Sequence, residues 1–203
     1  MRNGALLMVL VVDWDGTCTV RDSLVAAVHA LGDPSVYDGP FQQKFGSYGE
    51  ALAAEVHTLR ATEAEAAEWA VANIEMREGF HELVERYRPL IVSSGLPQLI
   101  RPVLEREGVE LELRSNDAEV RPDGWRVIFR DEGLCPVCGD RCKRRSLPEG
   151  RPIVFVGDGW SDRCAALACD RVFARTGLAE YLTEQQFPFE PYETLADVAA
   201  ALS

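Results

Sequence analysis

Leu6-Leu7-Met8-Val9-Leu10-Val11-Val12-Asp13-Trp14-Asp15-Gly16-Thr17 is the stretch on which the reading of this 203-residue chain turns. An unbroken apolar run that ends at once in two carboxylates and a glycine describes a strand buried on both faces, closed by a sharp polar turn. The run and the preceding Arg2 also resemble a short signal-peptide core. It stops at Asp13 rather than at a small-residue cleavage site, and it falls well short of the roughly 20 apolar residues of a membrane helix. The expectation is a buried strand in a cytoplasmic protein with reduced cysteines and no membrane partner.

Working outward, four more apolar runs read as buried strands: Leu90–Val92, Val109–Leu113, Ile153–Val156 and Arg171–Phe173. Helical stretches at Leu96–Glu107, Ser161–Ala168 and Gly177–Gln186 separate or follow them. Strand and helix in alternation predict an α/β fold, a doubly wound parallel sheet of Rossmann-like type. Two segments interrupt the alternation. The first and second strands are separated by roughly 75 residues, far more than one crossover needs. Within them Ser47-x-x-Glu50 and Thr62-x-x-Glu65 open apolar-periodic stretches as capping boxes, so residues 19–80 are expected to form a helical cap. Residues 1–18 and 81–203 are then the core. Later, Glu119–Arg121 and Trp125–Phe129 flank Pro122-Asp123-Gly124 as a hairpin, and a cysteine-rich loop follows from Cys135 to Cys142.

With 47% hydrophobic residues the chain can bury a core, which excludes disorder. Its net charge of −12 argues against a nucleic-acid partner, which would need a basic face. A phosphate bound by so acidic a chain would be held locally, by a cation and a few placed donors.

The candidate chemistry gathers at strand ends, where open parallel sheets bind their ligands. Asp13 and Asp15 follow the first strand, and Gly157-Asp158-Gly159-Trp160-Ser161-Asp162 follows the fourth. Taken singly, each stretch also reads as a strand-end turn whose Asp caps a helix. Taken together, four carboxylates need compensation, and a hard divalent cation such as Mg²⁺ supplies it. Ser93-Ser94-Gly95 precedes a helix start, where a hydroxyl and free N–H groups can grip phosphate. Lys143 precedes the fourth strand and can reach the same edge.

In this order the motifs resemble those of the haloacid dehalogenase superfamily of phosphohydrolases, over nearly the whole chain. The resemblance is to its phosphoserine-phosphatase-like branch, and within that to methionine-salvage phosphatases of the MtnX type. Met76-Arg77-Glu78-Gly79-Phe80-His81-Glu82, Cys138–Lys143 and Val172-Phe173-Ala174-Arg175 carry the narrower likeness. It implies a Mg²⁺-dependent hydrolase of a small phosphate monoester, such as 2-hydroxy-3-keto-5-methylthiopentenyl-1-phosphate. Asp13 would be the nucleophile, forming an aspartyl-phosphate, and Asp15 the general acid and base. Asp13, the Asp15 carbonyl and Asp158 would hold the metal with Asp162 in support, and Ser93, Ser94, Gly95 and Lys143 would bind the phosphate. A phosphoserine phosphatase, a phosphomutase of the same superfamily and a non-enzymatic receiver domain are the competing readings. A receiver lacks both the long insertion and an acid placed like Asp15.

Two features stay open at this level. Cys135-x-x-Cys138-x-x-x-Cys142 offers three thiols where structural zinc takes four, and Cys18, Cys164, Cys169 or His81 could complete the set only if the fold brought one close. Reduced thiols or a labile disulfide are the alternatives. Arg77, Glu78, His57 and Lys44 are candidates to touch the leaving group, with solvated helix-end roles as the alternative for Arg77 and Glu78. Trp69, Ile74 and Phe80 read as cap core, and His29 and His81 as surface or packing residues.

Overall fold

The computed structural model describes residues 8–40, 44–131, 133–150 and 152–203. Leu6 and Leu7, the first residues of the expected opening strand, lie outside them. Six parallel strands form the central sheet: β1 (Val9–Val12), β2 (Leu90–Val92), β3 (Leu113–Arg114), β6 (Ile153–Gly157), β7 (Arg171–Ala174) and β8 (Glu190–Pro191). Their order is β3-β2-β1-β6-β7-β8. The chain winds from β1 toward one edge and then returns to lay β6 on its other side, so the strand order reverses beside β1.

Side chains alternate across this sheet as strand geometry requires. Leu10, Val12, Ile91, Val154, Val156 and Phe173 enter one core. Val11, Leu90, Val92, Ile153, Phe155 and Val172 enter the other. Both faces are covered, which is why the strands read as continuous apolar runs. The first face packs on α4 (Phe80–Tyr87), α5 (Pro97–Arg106) and α8 (Leu195–Ala201). The second packs on α6 (Arg163–Ala166) and α7 (Thr176–Glu184).

Between β1 and β2 lie α1 (Ser23–Leu31), α2 (Tyr48–Thr58) and α3 (Glu63–Asn73). The way in and the way out of this segment meet in an antiparallel bridge between Thr19 and Met76. Of the two anticipated capping boxes, Thr62 and Glu65 form a reciprocal one; at Ser47 only half is present, since Ser47 accepts from the Glu50 N–H while the Glu50 carboxylate accepts from the Gly46 N–H at 2.8 Å. The segment shares the first core, with Leu24, Val28, Leu52, Val56, Ala66 and Ala70 buried alongside the sheet residues. Ile74 and Trp69 pack there too, while Phe80 opens α4 and meets Trp14 edge to face at 6.4 Å.

Three boundaries differ from expectation. Val109–Leu113 forms strand only at Leu113–Arg114, because as an edge strand it pairs with β2 alone. The hairpin is present as β4 (Asp117–Glu119) and β5 (Arg126–Ile128), paired antiparallel with Glu119 opposite Arg126. Its connection is longer than a tight turn because Trp125 leaves the ladder. Trp125 is fully buried and donates its ring N–H to the Ala61 carbonyl at 2.8 Å. The stretch at Ser161–Ala168 is a single turn of 3₁₀ helix at Trp160–Asp162 followed by the short α6. Among the described residues, no helix is long and apolar enough to cross a membrane.

Candidate active site

Sheet register alone brings the first carboxylates together. Val12 pairs with Val156, and the Asp13 N–H donates to the Val156 carbonyl at 2.9 Å, so the residues after β1 and β6 leave the sheet side by side. Gly16 then turns the chain with φ +76°, and a Cβ at that position would lie 2.3 Å from an Asp158 oxygen. Glycine is required here both for its backbone and for the space it leaves to Asp158.

Carboxylate oxygens of Asp13, Asp158 and Asp162 all lie within 4.8 Å of one another. Lys143, buried at the start of a 3₁₀ turn, Lys143–Ser146, donates to Asp13 and, at 2.8 Å, to Asp162. Asp162 is fully committed. One of its oxygens accepts from Lys143, and the other accepts the N–H groups of Asp158 and Gly159, each at 3.0 Å. It fixes the lysine and the Gly157–Gly159 turn at once. Asp158 is held more lightly, accepting from the Thr17 hydroxyl at 3.3 Å.

Asp15 turns the other way, accepting from the Ser23 hydroxyl and, at 2.8 Å, from the Ser23 N–H. The Ser93 hydroxyl accepts from the Gly95 N–H at 2.8 Å and lies 3.5 Å from the second Asp15 oxygen. All eight residues singled out from the sequence therefore meet at one edge of the sheet. Six line a cavity of about 330 Å³, and the other two anchor lining residues: Asp162 holds Lys143 and Asp158, and Ser93 holds Gly95.

The electrostatics are those of a site with excess negative charge. Burial, then Asp162, pushes the Asp13 carboxyl well above the usual range, with Lys143 opposing. Burial also raises Asp15, against its bonds to Ser23. Asp158 is raised to about 6, first by burial and then by Asp162. Burial alone would lower Lys143, but Asp13 and Asp162 outweigh it and hold the ammonium charged. Three clustered carboxylates against one ammonium are a hard-oxygen donor set with uncompensated charge. That donor set fits a divalent cation such as Mg²⁺.

Of the four leaving-group candidates only Arg77 lines the cavity, and its guanidinium is already engaged. It donates to the carbonyls of Gly16 at 2.7 Å, Thr17 at 2.9 Å and Thr19 at 3.1 Å, bracing the turn after β1. Lys44 binds the Ser35 and Val36 carbonyls, His57 meets Arg126 beside the hairpin, and Glu78 is exposed. His29 stacks on Tyr37, and His81 pairs with Glu107. The wall facing the carboxylates comes instead from Asp22, Leu24, Tyr48, Leu52 and Glu55. Helical phase marks Leu24 and Leu52 as inward, but no spacing links Tyr48 or Glu55 to a cavity formed across the sheet edge. Arg175 was within reach of sequence reasoning, since it follows β7 directly at the same edge. It lines the cavity, and its Nε and one Nη are buried without a hydrogen-bond partner among the described residues.

A family model for haloacid dehalogenase-like hydrolases matches residues 10–167. The chain belongs to that family. It is 30% identical to Pdp3-interacting factor 1 of Schizosaccharomyces pombe, over 92% of this chain and 90% of the relative. It is 28% identical to polyol phosphate phosphatase PYP1 of Saccharomyces cerevisiae, over 96% and 92% of the two chains. It is also 28% identical to 2-hydroxy-3-keto-5-methylthiopentenyl-1-phosphate phosphatase of Geobacillus kaustophilus, over 96% and 95%. Its fold matches a substrate-bound phosphoserine phosphatase with a TM-score of 0.68 at 16% identity, covering 96% of this chain and 98% of that one. A phospho-aspartyl intermediate analogue of phosphoserine phosphatase matches with a TM-score of 0.66 at 17% identity, over 96% and 98%. This haloacid dehalogenase-like hydrolase is a phosphatase.

Proposed function

We propose that the chain hydrolyses a small phosphate monoester in two steps through Asp13, with residues 19–80 acting as the cap over a core of residues 1–18 and 81–203. The observation that carries this reading is the buried Asp13–Lys143–Asp162 arrangement beside Asp158. Asp13 attacks phosphorus and the ester oxygen departs, leaving an aspartyl-phosphate that water then cleaves. Asp15, held by Ser23 and raised by burial, gives a proton to the leaving oxygen and later takes one from the attacking water. Lys143 and the Ser94 N–H bear on the phosphoryl oxygens, with Ser93 supporting that turn by accepting the Gly95 N–H and Arg175 offering unpaired donors. Asp13 and Asp158 would hold Mg²⁺ together with the Asp15 carbonyl, and the ion would offset the repulsion between two anions.

A cavity of about 330 Å³ suits a small metabolite. Burial raises Asp22 to about 8 and Glu55 to about 7, so on the cap wall they face the leaving group largely as neutral hydrogen-bonding carboxyls, and the reading favours an uncharged, oxygen-rich one. Both 2-hydroxy-3-keto-5-methylthiopentenyl-1-phosphate and polyol phosphates meet that description; phosphoserine does not.

Phosphate release from a panel of these three substrates, with Mg²⁺ present, tests the reading. The expected result is release from an uncharged-leaving-group substrate, reduced by at least about 10³-fold in Asp13→Asn, the order seen when a covalent nucleophile is removed. Near-parental release by Asp13→Asn would overturn the mechanism. Phosphoryl exchange without net phosphate release would mark a phosphomutase instead, and a preference for phosphoserine would overturn the substrate class.

A further inference from the structure

A second cluster of ligating side chains lies outside the catalytic cavity, and the fold supplies the member that spacing alone could not. The sulfur atoms of Cys135, Cys138, Cys142 and Cys164 all lie within 4.8 Å of one another. Three come from the loop after the hairpin, and Cys164 comes from α6, beyond β6. The Cys135 and Cys164 sulfurs are 3.9 Å apart. That is far beyond the roughly 2.05 Å of a disulfide. It is close to the edge of a tetrahedron with Zn–S bonds of about 2.3 Å, roughly 3.8 Å. All six cysteines are free.

We infer that these four cysteines form a structural zinc site that ties the Lys143 turn to the helix following Asp162.

The backbone around the cluster is arranged for thiolates. The Val137 N–H donates to the Cys135 sulfur at 3.4 Å. The loop closes on itself, with the Cys135 N–H on the Asp140 carbonyl at 2.8 Å and the Gly139 N–H on the Cys135 carbonyl at 2.9 Å. Four soft thiolates in tetrahedral reach select zinc over the hard cation suited to the carboxylate site. A zinc ion with four thiolates carries a net charge of −2. In a chain of net charge −12, Arg141 and Arg163 line one cavity together with Cys138, Cys142 and Cys164 and would offset that charge. Arg144 reaches the Cys164 carbonyl at 3.3 Å.

The loop has little apolar core of its own to hold its shape. Leu134 and Val137 are 57% and 62% exposed, and only Cys135 among residues 133–139 is buried. Yet it carries precise contacts. Cys142 is bonded to Lys143, and Asp140 accepts the Tyr48 N–H at 2.7 Å, docking the loop on the first turn of α2. Cys164 stands two residues after Asp162. Four protein ligands leave no open position, so the ion is structural rather than catalytic.

Elemental analysis of the full chain, purified under reducing conditions without added zinc, tests this independently of any phosphatase assay. About one zinc per chain is expected, falling below roughly a tenth in Cys138→Ser and Cys164→Ser and unchanged in Cys169→Ala, as the ligand set of a closed site requires. Protein reconstituted with Co²⁺ should show strong thiolate-to-cobalt absorption, lost in the same two variants. Zinc content that survives both serine substitutions, or that falls in Asp158→Asn instead, would overturn the inference. So would metal-free protein that shows no cobalt–thiolate absorption, or a disulfide among the four in the protein as isolated.

Discussion

Glu55 shows what burial does to a group the chemistry does not consume. It stands on α2 at the cavity wall, and burial, followed by the charge on Asp15, raises its carboxyl to about 7. In the unfolded chain the same group titrates near 4.3. The folded protein therefore binds this proton more tightly, and the stability it contributes is complete below about pH 4.3 and lost as the pH rises through about 7. Glu55→Gln, which is neutral throughout, removes that dependence. Without divalent cations, urea denaturation should show the variant gaining on the parent between pH 5 and 8, by about 1–2 kcal/mol after discounting for partial exposure. Parallel stability curves would show that Glu55 ionises freely in the folded state. Asp13, Asp15, Asp158 and Asp162 were legible without coordinates because each follows a buried strand, and parallel strands end together. Glu55 was not: its neighbour Asp15 lies across a cavity formed only by tertiary folding.

Elements show the same division. β1, β2, β6 and β7 are continuous apolar runs because both sheet faces are covered, and any such run is readable from its composition. β8 is only Glu190–Pro191, an edge pair whose partner β7 determines it and whose own residues disfavour strand. The hairpin was visible in its turn residues, but the part played by Trp125 was not. That side chain leaves β5 to meet the loop between α2 and α3, so the hairpin braces the segment that carries Tyr48 and Glu55. Trp125→Phe keeps most of the apolar contact and leaves the half-buried Ala61 carbonyl without its donor. Its expected cost is about 1–3 kcal/mol of stability by chemical denaturation. A rise in KM larger than the fall in kcat should accompany it, since the cap wall shifts while Asp13 and Lys143 stay anchored in the core. A neutral substitution would mean that water replaces the bond and the hairpin is not a brace.

At the scale of the whole molecule, the carboxylate cluster is a destabilising concentration of like charge, and the proposed function gives it a cation to offset that charge. Lys143 offsets part of it, and the chain's overall charge of −12 offers no further relief. The same imbalance that makes the site reactive should therefore make the protein's stability depend on Mg²⁺. A cation that binds only the folded state adds about 2.7 kcal/mol at a hundredfold excess over its Kd. For a chain of this size each kcal/mol moves Tm by roughly 2–4 °C, so saturating Mg²⁺ should raise Tm by about 5–10 °C over protein dialysed free of it. Asp158→Asn should remove most of that rise, because it deletes the carboxylate of the cluster with the lightest hydrogen bonding. Asp162→Asn should behave differently. It disturbs Lys143 and the Gly157–Gly159 turn, lowering Tm with and without Mg²⁺ while retaining part of the shift. Equal Mg²⁺ shifts in all three proteins would place the cation elsewhere and remove the acidic cluster from the proposed metal site.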